Sequence, residues 1–103
     1  MMNMDDFLSF LDILSDGLDI RGDVVDTTEV ICDNHHITID TCFTNDTSKY
    51  ETGIKVDNDE WIIVERYLNK TSAIIGHDEW IEKCSVLPIR LLSVQDGRTY
   101  IYE

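Results

Sequence analysis

The stretch from His36 to Tyr67 leaves this chain few folds to choose from. It holds three β-prone runs, His36–Phe43, Lys49–Val56 and Glu60–Tyr67, separated by Thr44-Asn-Asp-Thr-Ser48 and Asp57-Asn-Asp59. Strand-forming runs broken by short polar turn clusters mark an antiparallel meander. Ile37, Ile39, Thr41 and Phe43 share one parity, and Thr38, Asp40 and Cys42 share the other. Tyr50, Thr52, Ile54 and Val56 repeat the alternation. A period of two predicts one buried face and one wet face.

Around this meander the spacing predicts an α+β domain spanning residues 1–103, with an N-terminal amphipathic helix packed on a mostly antiparallel sheet. Phe7, Phe10, Leu11, Leu14 and Leu18 form a stripe at helical spacing. Asp5 and Asp6 suit the positive end of the helix dipole, and Gly17 suits its stop. Asp12 and Asp16 fall on the outer face. A short alternating run from Leu18 then reaches a turn at Gly22-Asp23. Thr27–Cys32 reads as a strand with Val30 and Cys32 on one face and Glu29 and Ile31 on the other. Asp33-Asn34 is a turn. After the meander, Asn69-Lys-Thr-Ser72 is another turn, and Asp78 caps a short helix over residues 78–84 with Trp80 and Ile81 inward. The run Val86–Val94 is a strand, which Pro88 confines to an edge or begins at a bulge. Gln95-Asp-Gly-Arg98 closes it into a hairpin with Thr99–Glu103. Trp61 and Trp80 are expected in the core. Tyr100 and Tyr102 share one face of the last strand, and Ile101 is the better candidate for its buried side.

The charge is extreme and uneven. Twenty-one acids face eight bases, for a net charge of −13. That exceeds the magnitude of roughly 2–8 that keeps a small domain soluble, and self-repulsion on this scale opposes compaction. Residues 1–48 hold eleven acids against Arg21 alone, while residues 49–103 hold ten acids and seven bases. Phosphate would be repelled, so direct nucleic-acid binding is not expected. A basic protein surface is the natural partner. No apolar run approaches the ~20 residues of a membrane span, and the N-terminus is acidic rather than signal-like. Three cysteines without a CxxC spacing fit reduced thiols in the cytoplasm.

Several constellations have plainer readings. Cys32, His35 and His36 have zinc-type side chains, with Cys42, His77 and Cys84 elsewhere, yet paired zinc spacing is missing, and adjacent His35 and His36 point to opposite strand faces. Asp57-Asn-Asp-Glu60 lacks the alternation and central Gly of a calcium loop and reads as an Asx-rich turn. No nucleophile elbow, phosphate loop or metalloprotease helix is present. Neither an enzyme nor a cofactor or metal is therefore expected. Trp61, Trp80, Tyr67, Tyr100 and Tyr102 have the chemistry of interface anchors as well as of core packing.

These features predict a small acidic protein-binding inhibitor. Its carboxylates, spaced like phosphates, would occupy the basic nucleic-acid-binding surface of a partner enzyme or effector complex. The expected contact residues are Asp12, Asp16, Asp19, Asp23, Asp26 and Glu29, with Asp33 and Asp40 next. In these gross properties the chain is similar to phage-encoded anti-restriction and anti-CRISPR inhibitors, a likeness of composition and not of motif. Two alternatives share the composition. One is a bacterial immunity protein that neutralises a nuclease toxin through charge-steered association and a few aromatic anchors. The other is a housekeeping domain whose acidity serves solubility.

Overall fold

A computed structural model describes residues 21–103. Four strands, β1 (Arg21–Cys32), β2 (His35–Thr44), β3 (Lys49–Val56) and β4 (Ile62–Tyr67), form an antiparallel sheet in the order β1-β2-β3-β4. Helix α1 (Lys70–Lys83) follows, and strands β5 (Ile89–Leu92) and β6 (Thr99–Tyr102) form a separate antiparallel hairpin. The architecture is α+β, as the meander pattern requires. The predicted N-terminal helix, with its stripe from Phe7 to Leu18, lies outside the described residues.

The alternation fixes the buried face. Ile37, Ile39, Ile54 and Val56 are fully buried, and they meet Ile62, Val64, Trp80, Cys84, Ile89 and Leu91 in one core. Helix and hairpin therefore cover the same side of the sheet. Burying side chains of this size contributes roughly 1.5–3 kcal/mol each. The face predicted to be wet is drier than expected in one place: Cys42 and Glu51, which are register partners, are each 6 % exposed.

Four details depart from the sequence reading. Gly22-Asp23 is not a turn. It lies at one of two register shifts that leave β1 a single strand of 12 residues. A bulge absorbs an extra residue without reversing the chain. The helix begins eight residues before Asp78, because Asn69 in extended backbone accepts the Ser72 N–H at 2.8 Å and acts as its N-cap. Such a cap stabilises by about 1 kcal/mol, enough to offset the single mid-helix Gly76. Trp61 is 48 % exposed rather than in the core, with the Lys55 ammonium 5.9 Å above its ring. Ile101 is 50 % exposed, while Tyr100 and Tyr102 pack against the core from the opposite hairpin face.

Candidate functional site

Of the eight predicted contact residues, Asp12, Asp16 and Asp19 lie outside the described residues, and Asp23 sits at the β1 bulge. The other four do not share one face. Asp26 is exposed; its carboxylate accepts the Thr27 N–H at 2.9 Å and lies 3.8 Å from His77 Nε2 at the margin of the core side. Glu29 and Asp40 are on the opposite face. Glu29 pairs with His36 at 2.9 Å, and Asp40 accepts the Thr27 hydroxyl at 2.6 Å. Asp33 occupies the exposed β1–β2 turn at φ 53, a conformation that Asp tolerates better than most residues. Strand β1 is at the end of the sheet, so Asp26 and Glu29 stand on an edge. Charges on an edge strand also block edge-to-edge pairing, which is their plainer role.

A denser acidic region is assembled where the β1–β2 and β3–β4 turns come together. Asp57, at φ 55, starts the second turn. Its carboxylate accepts the His36 N–H at 2.9 Å and holds the His35 ring at 2.8 Å. The His36 N–H and the His35 hydrogen bond depress the Asp57 carboxyl, and the Asp57 bond together with the Glu103 carbonyl raises the His35 imidazole. His35 also meets Tyr102 edge-on at 5.8 Å. Strand β6 thereby reaches the same end of the sheet. There the Tyr102 hydroxyl donates to Asp59 at 3.1 Å, and burial followed by this bond pushes the phenol up to about 12. Two clefts flank the junction. One, of about 360 Å³, is lined by Asp59, Glu60, Ile62, Arg98, Tyr100 and Tyr102. The other, of about 570 Å³, is lined by Asp33, Asn34, His35, Leu87 and Glu103.

The imidazole and thiol groups weighed for chemistry are committed elsewhere. Cys32 is buried in the core, His35 is bound to Asp57 and His36 to Glu29, so the Cys32–His36 cluster is divided among separate partners. All three cysteines are buried and outside any disulfide, and burial pushes the Cys84 thiol up to about 11, far from the reactive thiolate. Among the described residues no group of three or more His, Cys, Asp or Glu is placed to hold a metal ion.

His77 is 1 % exposed and held at both nitrogens, Nε2 by Thr28 at 2.9 Å and Nδ1 by Thr41 at 2.7 Å. From Thr41 a chain of hydroxyls continues through Thr52 at 2.6 Å and Tyr67 at 3.0 Å to the Glu65 carboxylate at 3.1 Å. Trp80 Nε1–H donates to the same carboxylate oxygen at 2.9 Å. An ionised carboxylate only accepts, so Tyr67 donates to Glu65, Thr52 to Tyr67 and Thr41 to Thr52. With that order Thr41 accepts from His77 Nδ1–H, and in the Nδ1–H tautomer Nε2 accepts from Thr28. This chain ties all four strands to α1 and satisfies the buried polar groups.

No family model matches the chain, and no curated protein and no solved structure is similar to it. Among the described residues no helix is long and apolar enough to cross a membrane. The sequence reading missed the joining of Asp59 and Glu60 to Tyr100 and Tyr102. Both pairs stood out, one as an Asx-rich turn and one as an aromatic face, but no local pattern links positions some 40 residues apart.

Proposed function

We propose that this chain is a small acidic protein-binding inhibitor that occupies the basic, nucleic-acid-binding surface of a partner enzyme or effector complex. One observation carries the reading. The carboxylates of Asp59 and Glu60 line one cleft and Asp33 lines the other at the same end of the sheet, with Glu29 and Asp26 along the adjoining edge. Among the described residues that line those clefts, the cations are Arg98 and, when protonated, His35. Carboxylates held by a rigid meander present negative charge without the entropy loss of ordering a loop, which favours pairing with Lys and Arg that otherwise hold phosphate. Of the contact set expected from the sequence, Asp33 lines one of these clefts.

The half-exposed Trp61 under Lys55 favours a second reading, an immunity protein against a nuclease toxin, because exposed tryptophan is a frequent binding anchor. The two readings diverge at Trp61. Trp61→Ala would abolish toxin neutralisation but leave phosphate mimicry largely intact.

The test is displacement. The immobilised chain should capture a host protein that is released by competing double-stranded DNA or RNA. Adding the free chain should abolish that protein's own nucleic-acid binding. Capture that nucleic acid does not relieve would reject occupancy of the phosphate-binding surface.

A further inference from the structure

The geometry points to the cleft between the β3–β4 turn and strand β6 as a seat for a single arginine side chain of a protein partner. The inference rests on the proposed reading of an acidic chain meeting a basic surface, and it names the group that anchors the contact. Three observations converge. The cleft has aromatic walls, with Tyr100 and Tyr102 beside the floor residue Ile62, which is 4 % exposed. Its volume of about 360 Å³ is near the lower end for a small-ligand site, so it suits one side chain rather than a large ligand. Its carboxylates are also open to a cation. The nearby Asp57 and Asp96 have His35 and Arg98 within 4.0 Å, whereas among the described residues no Lys, Arg or His stands that close to the carboxylate of Asp59 or Glu60, as none does to the side-chain carboxylate of Asp33 or Glu103 in the neighbouring cleft.

The chemistry separates arginine from other occupants. A guanidinium is planar, stacks on an aromatic face and donates in a fork to a carboxylate. Asp59 is held in place twice: its N–H donates to the Val56 carbonyl at 3.0 Å, and its carboxylate accepts the Tyr102 hydroxyl at 3.1 Å. That hydroxyl keeps its proton at any physiological pH, since the phenol is pushed up to about 12 by burial and then by Asp59. One Asp59 oxygen and the whole Glu60 carboxylate remain to accept from an incoming guanidinium. Arg98 lines the same cleft and is 76 % exposed at its side chain; its backbone N–H donates to Asp96 at 3.0 Å, but its guanidinium Nε stands 3.9 Å from that carboxylate. It is an internal competitor, loosely held, which an incoming arginine displaces.

The experiment uses the full ¹⁵N-labelled chain, with N-acetyl-arginine amide as probe and N-acetyl-citrulline amide as its neutral counterpart. The arginine probe should produce saturable amide shifts at Asn58, Asp59, Glu60, Tyr100 and Tyr102, and citrulline should not. Asp59→Asn with Glu60→Gln should weaken the arginine probe by roughly three- to tenfold, the scale of one exposed cation–aromatic and charge contact. Arg98→Gln should strengthen it, because it removes the competitor; mere attraction to negative charge would give a smaller and general gain. Glu79→Gln with Glu82→Gln, on the exposed helix face, removes the same charge and should leave the site unchanged. Shifts spread evenly over Asp78, Glu79 and Glu82, or equal shifts with citrulline, would overturn the inference. The outcome is separable from the wider reading. An arginine seated in the cleft of a chain whose captured partner ignores nucleic acid supports the cleft and rejects phosphate mimicry; nucleic-acid-sensitive capture with an empty cleft does the reverse.

Discussion

Gly76 lies against the ring of Tyr67, and a single added carbon would collide there. A Cβ at this position would overlap both the Tyr67 hydroxyl and its ring. The ring cannot swing away cheaply, because its hydroxyl is bonded to Thr52 and Glu65. Helix propensity alone would make Gly76→Ala stabilising by about 1 kcal/mol, whereas overpacking costs typically 1–3 kcal/mol. The clash should win, and chemical denaturation should show a net loss. A gain in stability would mean that α1 sits farther from the sheet. The His35–Asp57 pair makes a second residue-scale prediction. Asp57, depressed, contributes stability that is complete above 3.8 and lost as pH falls through its lowered value. His35, raised, contributes stability that is complete below 6.5 and lost as pH rises through its higher value. The pair therefore contributes most between about pH 4 and 6.5. Asn tolerates the positive φ of position 57 and keeps one oxygen for the His36 N–H, so Asp57→Asn removes the charge and the acceptor that faces His35. Melting curves should separate wild type from Asp57→Asn most in that window and less at pH 8. A gap that widens steadily up to pH 8 would contradict the pairing.

At the scale of the element, the bulge in β4 decides what lies beneath the helix. Thr52 pairs with Glu65 and Gly53 with Ile63, so β4 carries one extra residue. That shift turns Glu65 and Tyr67 toward α1, where they end the hydroxyl chain from His77. Thr41→Val keeps shape and removes the central hydroxyl. It leaves the His77 Nδ1–H and the Thr52 acceptor unsatisfied in a buried site, which should cost roughly 1–3 kcal/mol in denaturant unfolding. A ¹⁵N spectrum of the neutral imidazole should show the proton on Nδ1 in wild type; a proton on Nε2 would reverse the donor order derived for the chain. The meander was legible because alternation at Ile37, Ile39, Ile54 and Val56 is a local signal that burial obeys. The bulges were not legible, since nothing in Gly22-Asp23 or Val64-Glu65 separates a shifted register from a turn or a plain strand. Helix α1 was half legible. Its buried residues Ala73, Gly76, His77 and Trp80 do fall at helical spacing, but three are small or polar, so the stripe lacks apolar weight. The exposed Ile74 and Ile75 mislead further.

At the scale of the whole molecule, acidity is the property that the composition declares and the fold distributes. Net charge and its bias to residues 1–48 are readable by counting. The acidic end of the sheet is not, because it joins Asp33 to Asp57, Asp59 and Glu60 through strand pairing across the half-chain boundary. Sequence arithmetic had assigned Asp57 and Asp59 to the nearly balanced half. The central claim is that charge at this end and along the β1 edge recognises a basic partner. The most direct test is the association rate with the captured partner across a salt series, for two variants that lose the same charge. One replaces Glu29, Asp33, Asp59 and Glu60 by their amides; the other replaces Asp46, Asp78, Glu79 and Glu82, all exposed. Steering is screened over about 8–10 Å near physiological ionic strength, so each carboxylate acts locally. Near physiological ionic strength the first variant should associate about tenfold more slowly and lose most of its salt dependence, while the second stays within about twofold of wild type. Equal slowing of both variants would show that the acidity acts as undirected net charge and would contradict the account.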